Sequence, residues 1–557
     1  MTEDKEVGVK GSSSVEGSEQ QSGLQKPTVF ARQATGLVKN LDLFDMFSYN
    51  VAGWSGPTLV ATPLLLAALI GGLPIDWVLL SVALALPVVL TYYMVSVTMP
   101  RTGADYVFVS RILHPSLGFV LGAFAGIMAP LVFLAGFGAL GWIPYGASPT
   151  LYYLGYLYHN AGLTALSQDI SVPWVSDSLG VAVILIFALV MGVKGAKAVF
   201  RANAIIMTLG AVVVVGAVIF FLRTSSSDFT NAFNTMASGT TTYSGIISIA
   251  GAQGWTLPST GIYAGLLASA TMFTGFYAAN QSSIVSGEIK SIKRTQPIAM
   301  VGAVAVWGCL MAALLVVMFN VVGGNFISAS DFLTLFAPSS WPLSVGPYAP
   351  LFVSLAANNA FFSVLFSLAW IGAFFIAIPL GLVVISRYAF ALSFDRILPS
   401  SISDVSPRFN TPLKAIAVAA IAGCFMTLLF VLPITSSQII LFTAGISLPY
   451  FVVYSFTSIA AIIFPYRNKV LFEGSPFKRR IAGVPLISIM GALSVACLMT
   501  NAAIYLTVPS YYGLNQTTLE LWFGTLIALF ALYFVVSSYR KSKGVPLDLV
   551  YKEVPPE

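Results

Sequence analysis

The chain has 557 residues, 57% of them hydrophobic and only 9% charged, with a mean hydropathy of +0.87. Soluble domains carry about 25% charged residues, so these figures exclude a soluble globular protein and point to an all-α integral membrane protein. The net charge of +6 does not indicate a nucleic-acid partner, because the basic residues are spread through the connections between apolar runs instead of forming one patch.

The first forty residues begin Met1-Thr2-Glu3-Asp4-Lys5, are rich in Ser, Gly, Gln and Glu, and lack an apolar signal-peptide core. They read as a disordered cytoplasmic tail. Apolar stretches then occur near 41–69, 75–97, 116–141, 177–193, 203–222, 262–287, 297–320, 361–384, 413–432, 438–464, 484–508 and 519–538. Each is close to the ~20 residues that cross a bilayer as a helix, which predicts twelve spans. With the N-terminus in the cytoplasm, every basic residue except Arg223 falls on the cytoplasmic side, as the positive-inside rule requires. Both termini are then cytoplasmic, in a multi-pass protein of the plasma membrane that meets lipid along its spans.

The first span is interrupted. Asn50, Val51, Ala52, Gly53, Trp54, Ser55, Gly56, Pro57 and Thr58 occupy its middle, and this Gly, Ser and Pro content does not sustain a regular helix. The sixth span carries a second such stretch, Phe273-Thr274-Gly275-Phe276-Tyr277. Backbone that leaves the helical path inside hydrocarbon is tolerated only where it is buried in protein or lines a polar cavity. Five spans separate the two starts, and an odd offset inserts the two halves with opposite orientation. The spacing predicts a five-plus-five inverted repeat, residues 41–222 and 262–464, followed by two further spans over 484–538 and a cytoplasmic tail over 539–557.

A broken helix offers free carbonyls with the negative dipole end, here near Asn50 to Gly53. It also offers free amides with the positive end, here near Gly56 to Leu59. A zwitterion fits this arrangement without any charged side chain. The candidate substrate-binding residues are therefore Asn50, Ala52, Gly53, Trp54, Ser55, Gly56, Pro57 and Thr58 with Phe273, Thr274, Gly275, Phe276 and Tyr277. Trp54, Phe273, Phe276 and Tyr277 provide an aromatic wall or, at the same spacing, ordinary packing. No acidic or basic residue sits in either break, which favours neutral substrates.

The remaining charged and polar candidates are few. Asp45, one to two turns before the first break, reads as a cap or gate partner, or as a proton-coupling carboxylate. Glu288 sits at the inner end of span six as a gate candidate, and Asp105 and Arg111 fit a cytoplasmic loop network. Ser363 and Ser367 on span eight, with span-one carbonyls, offer oxygen ligands for Na⁺. Cys309, Cys424 and Cys497 lie in separate spans and suggest neither a disulfide framework nor a metal site. His114 and His159 fall in loops and read as structural. The long outward loops, about 142–176, 223–261 and 321–360, carry few charges and suggest a cap over the outer mouth or adaptation to an acidic exterior. No cofactor is expected, and the coupling ion remains open between H⁺ and Na⁺.

Three motifs, in order, resemble the amino acid–polyamine–organocation superfamily. Pro100-Arg101-Thr102-Gly103-Ala104-Asp105-Tyr106, with Arg111 and Pro115-Ser116-Leu117-Gly118-Phe119, is similar to the family pattern after span two. Gly275-Phe276-Tyr277, then Gly287-Glu288-Ile289-Lys290 and Pro297, resembles its sixth span and following loop. Ser386-Arg387-Tyr388-Ala389-Phe390-Ala391, with Asp395-Arg396-Ile397-Leu398-Pro399 and Thr411-Pro412, resembles its eighth-span exit. The resemblance implies a LeuT-like fold, spans one and six unwound at the substrate, and coupled uptake or exchange of amino acids or related amines; the expected assembly is a monomer or homodimer. Two departures stand out. Gly56-Pro57-Thr58 lacks the second glycine of the family's first break, and span five, from Asn203 to Gly210, lacks the lysine that some proton-coupled members carry.

Other classes fare worse. A pore needs rings of filter residues on repeated subunits, and none is evident. An enzyme needs convergent acids, histidines or metal ligands, whereas the chain has two histidines. The alternative within transport is an antiporter or permease for another small organic solute, such as an amine, polyamine or nucleobase.

Overall fold

The structure, a computed structural model, describes residues 37–52, 66–136, 141–409, 411–429, 445–545 and 547–552. Helix α1 (Leu43–Ala52) opens the fold, and a short helical piece, Ala68–Ile70, follows the interval outside the described residues. Then come α2 (Pro74–Thr98), α3 (Pro115–Gly136), α4 (Pro173–Lys194), α5 (Ala196–Arg223), α6 (Ile262–Tyr277), α7 (Ile292–Met318), α8 (Ala360–Phe394), α9 (Leu413–Leu429), α10 (Ser447–Arg467), α11 (Leu486–Thr507) and α12 (Gln516–Ser542). Among the described residues ten helices are long and apolar enough to cross a bilayer. The other two predicted spans correspond to α1 and to α9, which has 17 residues.

Side-chain chemistry explains the helix ends. Pro74 and Pro173 occupy first turns, where the missing N–H costs nothing. Asn359 starts α8 by accepting from the Phe362 amide, and Asn515 starts α12 by accepting from Thr518. Small residues let helices approach closely, as where Ser458 of α10 meets Ser494 of α11 at 2.7 Å. Gly126 of α3 faces the Tyr388 ring of α8, and a Cβ there would lie 2.2 Å from the ring. Only glycine admits Tyr388 at that crossing.

Helix α8 corrects the sequence reading, which ended span eight near 384. It continues to Phe394, because Arg387 is neutralised within the fold and does not mark the membrane boundary. Its 35 residues span about 52 Å at 1.5 Å per residue, beyond the hydrocarbon, and the excess packs against the loop helix Ala104–Ile112.

Alternation of the helices gathers the Lys- and Arg-rich connections at one end, called the basic end below. The opposite end is covered by helices within the three long loops: Ser148–Leu157 and Ala161–Asp169, Ser226–Met236 and Tyr243–Ala252, Gly324–Phe336 and Ala349–Ala357. Tyr243 stacks on Phe326 at 4.3 Å, Phe233 meets Phe326 at 4.9 Å, and Trp255 Nε1 donates to Ser328 at 3.0 Å. These loops form an ordered aromatic layer.

Candidate functional site

Helix α1 is fastened at its start. The Asp42 carboxylate accepts from the Phe44 and Asp45 amides, a side-chain cap. Asp45 is fully buried, with Arg201 Nε of α5 3.1 Å away, and Arg201 also pairs with Asp42. Lys197 donates to the Asn40 carbonyl at 3.0 Å. Asp45 is thus an ion-pair partner joining α1 to α5.

Further along α1, Asn50 is buried and bonds twice to one residue of the α6 region. Its Nδ2 donates to Ser282 Oγ at 3.0 Å, and its Oδ1 accepts from the Ser282 amide at 2.8 Å. Ser282 Oγ donates in turn to Gln296 Oε1 of α7 at 2.6 Å, and Gln296 Nε2 donates to the Ser282 carbonyl at 3.2 Å. Ala52 closes the described part of α1. Gly53, Trp54, Ser55, Gly56, Pro57 and Thr58 lie outside the described residues.

In α6, Phe273, Thr274, Gly275, Phe276 and Tyr277 are all helical. The α-helical ladder gives way immediately afterwards, and Ala278–Ser283 forms a 3₁₀ turn with every side chain buried. The departure from α geometry thus lies just beyond the glycine-aromatic stretch singled out in the sequence. The aromatic residues divide between two directions. Phe273 and Tyr277 face Phe451 and Tyr454 of α10, with centroids 5.5 Å apart for Phe273–Phe451 and 5.5 Å for Tyr277–Tyr454. Phe276 packs beside Gly308 of α7 and Val82 of α2. Thr274 donates to the Thr271 carbonyl of its own helix.

The sequence reading missed Asn280 and Gln281. Both are buried in the 3₁₀ turn, and Asn280 Nδ2 and Gln281 Oε1 have no hydrogen-bond partner among the described residues. Buried polar atoms are nearly always satisfied, so this donor and this acceptor, on consecutive residues, are candidates for contact with a polar ligand. The detectable signal was Asn280-Gln281-Ser282-Ser283, four polar residues inside an otherwise apolar run.

Below the turn, Glu288 is held by Arg387 of α8 through two hydrogen bonds of 2.9 Å, with both side chains buried. The backbone closes over the same place. The Asn40 and Leu41 amides donate to the Glu288 carbonyl at 3.1 Å, and the Lys290 amide donates to the Leu41 carbonyl at 2.8 Å. Ser363 and Ser367 lie nearer the opposite end of α8. Ser363 donates to the Asn359 carbonyl of its own helix and Ser367 to the Gly146 carbonyl at 3.1 Å.

Removing Asn50 tests the connection between α1 and α6. Asn50→Ala leaves the Ser282 amide buried and unpaired, which is expected to cost about 1–3 kcal/mol. Thermal unfolding in detergent reads the loss, and an unchanged melting temperature would show that the contact carries no stability.

A bundle of apolar helices, one of which leaves α geometry at Ala278–Ser283 beside buried polar groups, is the arrangement of a multi-pass membrane protein with a polar site among its spans. The amino acid permease family model matches residues 41–539, and the chain belongs to that family, within the amino acid–polyamine–organocation superfamily. Among solved structures it is similar to MhsT in complex with L-phenylalanine, at a TM-score of 0.55 and 12% identity, covering 85% of this chain and 99% of that one. That likeness establishes the LeuT-like fold. Comparison with curated proteins gives no match.

Proposed function

We propose that the protein is a secondary active transporter of neutral amino acids that works by alternating access, with its basic end facing the cytoplasm across the plasma membrane. The observation that carries this reading is the unpartnered pair in the 3₁₀ turn. Asn280 Nδ2 is a donor for a carboxylate, Gln281 Oε1 is an acceptor for an ammonium group, and residues 262–287 contain no charged side chain. A ligand bearing both groups satisfies both atoms, whereas a lone cation or anion leaves one unsatisfied. Phe273 and Tyr277, packed with Phe451 and Tyr454, give the side chain of the ligand an apolar wall. Helices α1, α2, α6 and α7 then rock against the rest, with Glu288–Arg387 and Asp45–Arg201 closing the basic end.

The experiment is uptake of radiolabelled amino acids by purified protein in liposomes, with pH and Na⁺ gradients imposed in turn. Saturable uptake of neutral amino acids, suppressed by unlabelled competitor, is expected. Uptake of none by folded protein, or preference for arginine or glutamate, would overturn the reading.

A further inference from the structure

We infer that Asp105 carries a proton inward with the amino acid, and that buried hydroxyls of α2 and α10 connect it to the α6 turn at Tyr277. This rests on the transport reading above and adds the coupling ion and its carrier.

Asp105 opens the loop helix Ala104–Ile112 at the basic end and is 1% exposed. Two other buried acids at this end are each clamped by an arginine through two hydrogen bonds, Glu288 by Arg387 and Asp395 by Arg111 at 2.7 and 2.8 Å, while Asp45 has only the half-exposed Arg201 3.1 Å away. An arginine beside a carboxylate favours its charged form, which suits a latch. A carrier must take up and release a proton. Asp105 Oδ1 instead accepts from the Tyr388 hydroxyl and the Tyr106 amide. Burial pushes the Asp105 carboxyl up to about 6, while the Tyr388 hydroxyl, the Tyr106 amide, its own amide and the Tyr92 hydroxyl pull it down.

The groups facing Asp105 can be named element by element. Helix α2 presents Tyr92, α10 presents Tyr450 with Tyr454 stacked against it, and α8 presents Tyr388 beside the already paired Arg387. Its own segment adds Tyr106, whose hydroxyl is given to Asp395, and Arg101, which donates to the Pro100 carbonyl. Helix α3 contributes no titratable side chain.

These tyrosines form a continuous cluster. Tyr92 meets Tyr454 at 5.5 Å, Tyr454 meets Tyr277 at 5.5 Å, and Tyr450 stacks on Tyr454 at 5.2 Å. Tyr92 interacts with both the Asp105 carboxyl and the Thr457 hydroxyl of α10, and its Oη and Thr457 Oγ1 are buried without a well-aligned hydrogen bond among the described residues. Buried hydroxyls in a polar seam are where water binds, and water there completes a hydrogen-bonded chain from the α6 turn to the carboxylate. The step breaks and makes only O–H bonds. A proton passes from water at the substrate site to the Asp105 carboxylate, giving the neutral acid, and leaves to water at the basic end when that end opens. One positive charge then accompanies each zwitterion.

The test uses the full chain in liposomes, a lumenal pH dye and the amino acid that the uptake screen identifies. Substrate added outside wild-type vesicles is expected to acidify the lumen, with a pH profile of midpoint near 6. Asp105→Asn is expected to abolish acidification and pH-driven accumulation, leaving substrate-for-substrate exchange that no longer depends on pH. Tyr388→Phe keeps the ring and removes one donor, so its midpoint is expected to move upward, and Tyr92→Phe is expected to slow acidification at least tenfold. These two variants decide the matter if Asp105→Asn does not fold. Wild-type-like acidification by Asp105→Asn, an unshifted profile in Tyr388→Phe, acidification at the wild-type rate in Tyr92→Phe, or wild-type uptake without acidification would each overturn the inference while leaving amino acid transport intact. Absence of all uptake by the wild type would instead count against the transport reading.

Discussion

Arg387→Met leaves Glu288 charged and unpaired in the interior, and the variant is expected to lose about 3–5 kcal/mol of stability, the usual cost of orphaning one member of a buried pair. Both side chains are almost completely inaccessible and share two hydrogen bonds of 2.9 Å, so neither charge has water to fall back on. Adding Glu288→Leu removes the orphaned carboxylate and is expected to recover most of the loss, because replacing both partners by apolar groups is close to neutral. Thermal unfolding in detergent and the folded yield by size exclusion report both effects. Equal melting of Arg387→Met and wild type would show that the pair is not a fastening of the basic end. If the double variant is stable yet transports slowly, the pair acts in closure as well as in folding.

The second large effect concerns affinity. Asn280→Leu removes the donor assigned to the ligand carboxylate while keeping similar volume, and hydrogen bonds to charged groups contribute about 1.5–3 kcal/mol. A tenfold change in affinity corresponds to about 1.4 kcal/mol, so KM is expected to rise about 10- to 100-fold. Gln281→Leu is expected to act similarly through the ammonium group. Since neither side-chain atom has a partner among the described residues, both variants are expected to melt at or above the wild-type temperature. Unchanged KM would remove these residues from the site, and lowered melting would reassign them to structure.

Much of the architecture was legible because hydrocarbon imposes length and composition on every span, so apolar runs near 20 residues stood out directly. The turn in α6 was placed a few residues early for a physical reason. Gly275 and its aromatic neighbours look like a breaker, but glycine in a membrane helix also serves close packing, and α6 passes through them unbroken. The actual departure occurs at Ala278–Ser283, where polar side chains, and not glycine or proline, offer the freed backbone new partners; Asn50 supplies one by accepting from the Ser282 amide. Charge misled the reading of α8 in the same way. Arg387 looked like the end of a span, yet its partner Glu288 is 99 residues away in the sequence, and no local pattern reveals such a pairing. Asp45 was open between coupling and gating, and no local pattern announced that Arg201, on another helix, would lie 3.1 Å away.

The ribbon of backbone bonds between Asn40–Leu41 and Glu288–Lys290 has a mechanical consequence. Tension on the chain ahead of Leu37 reaches the α6 turn through a short leash instead of dissipating in the bulk of the bundle. Whatever grips the leading segment, whether a fused tag, a binding protein or a modification, therefore pulls directly on the Glu288–Lys290 backbone at the basic end.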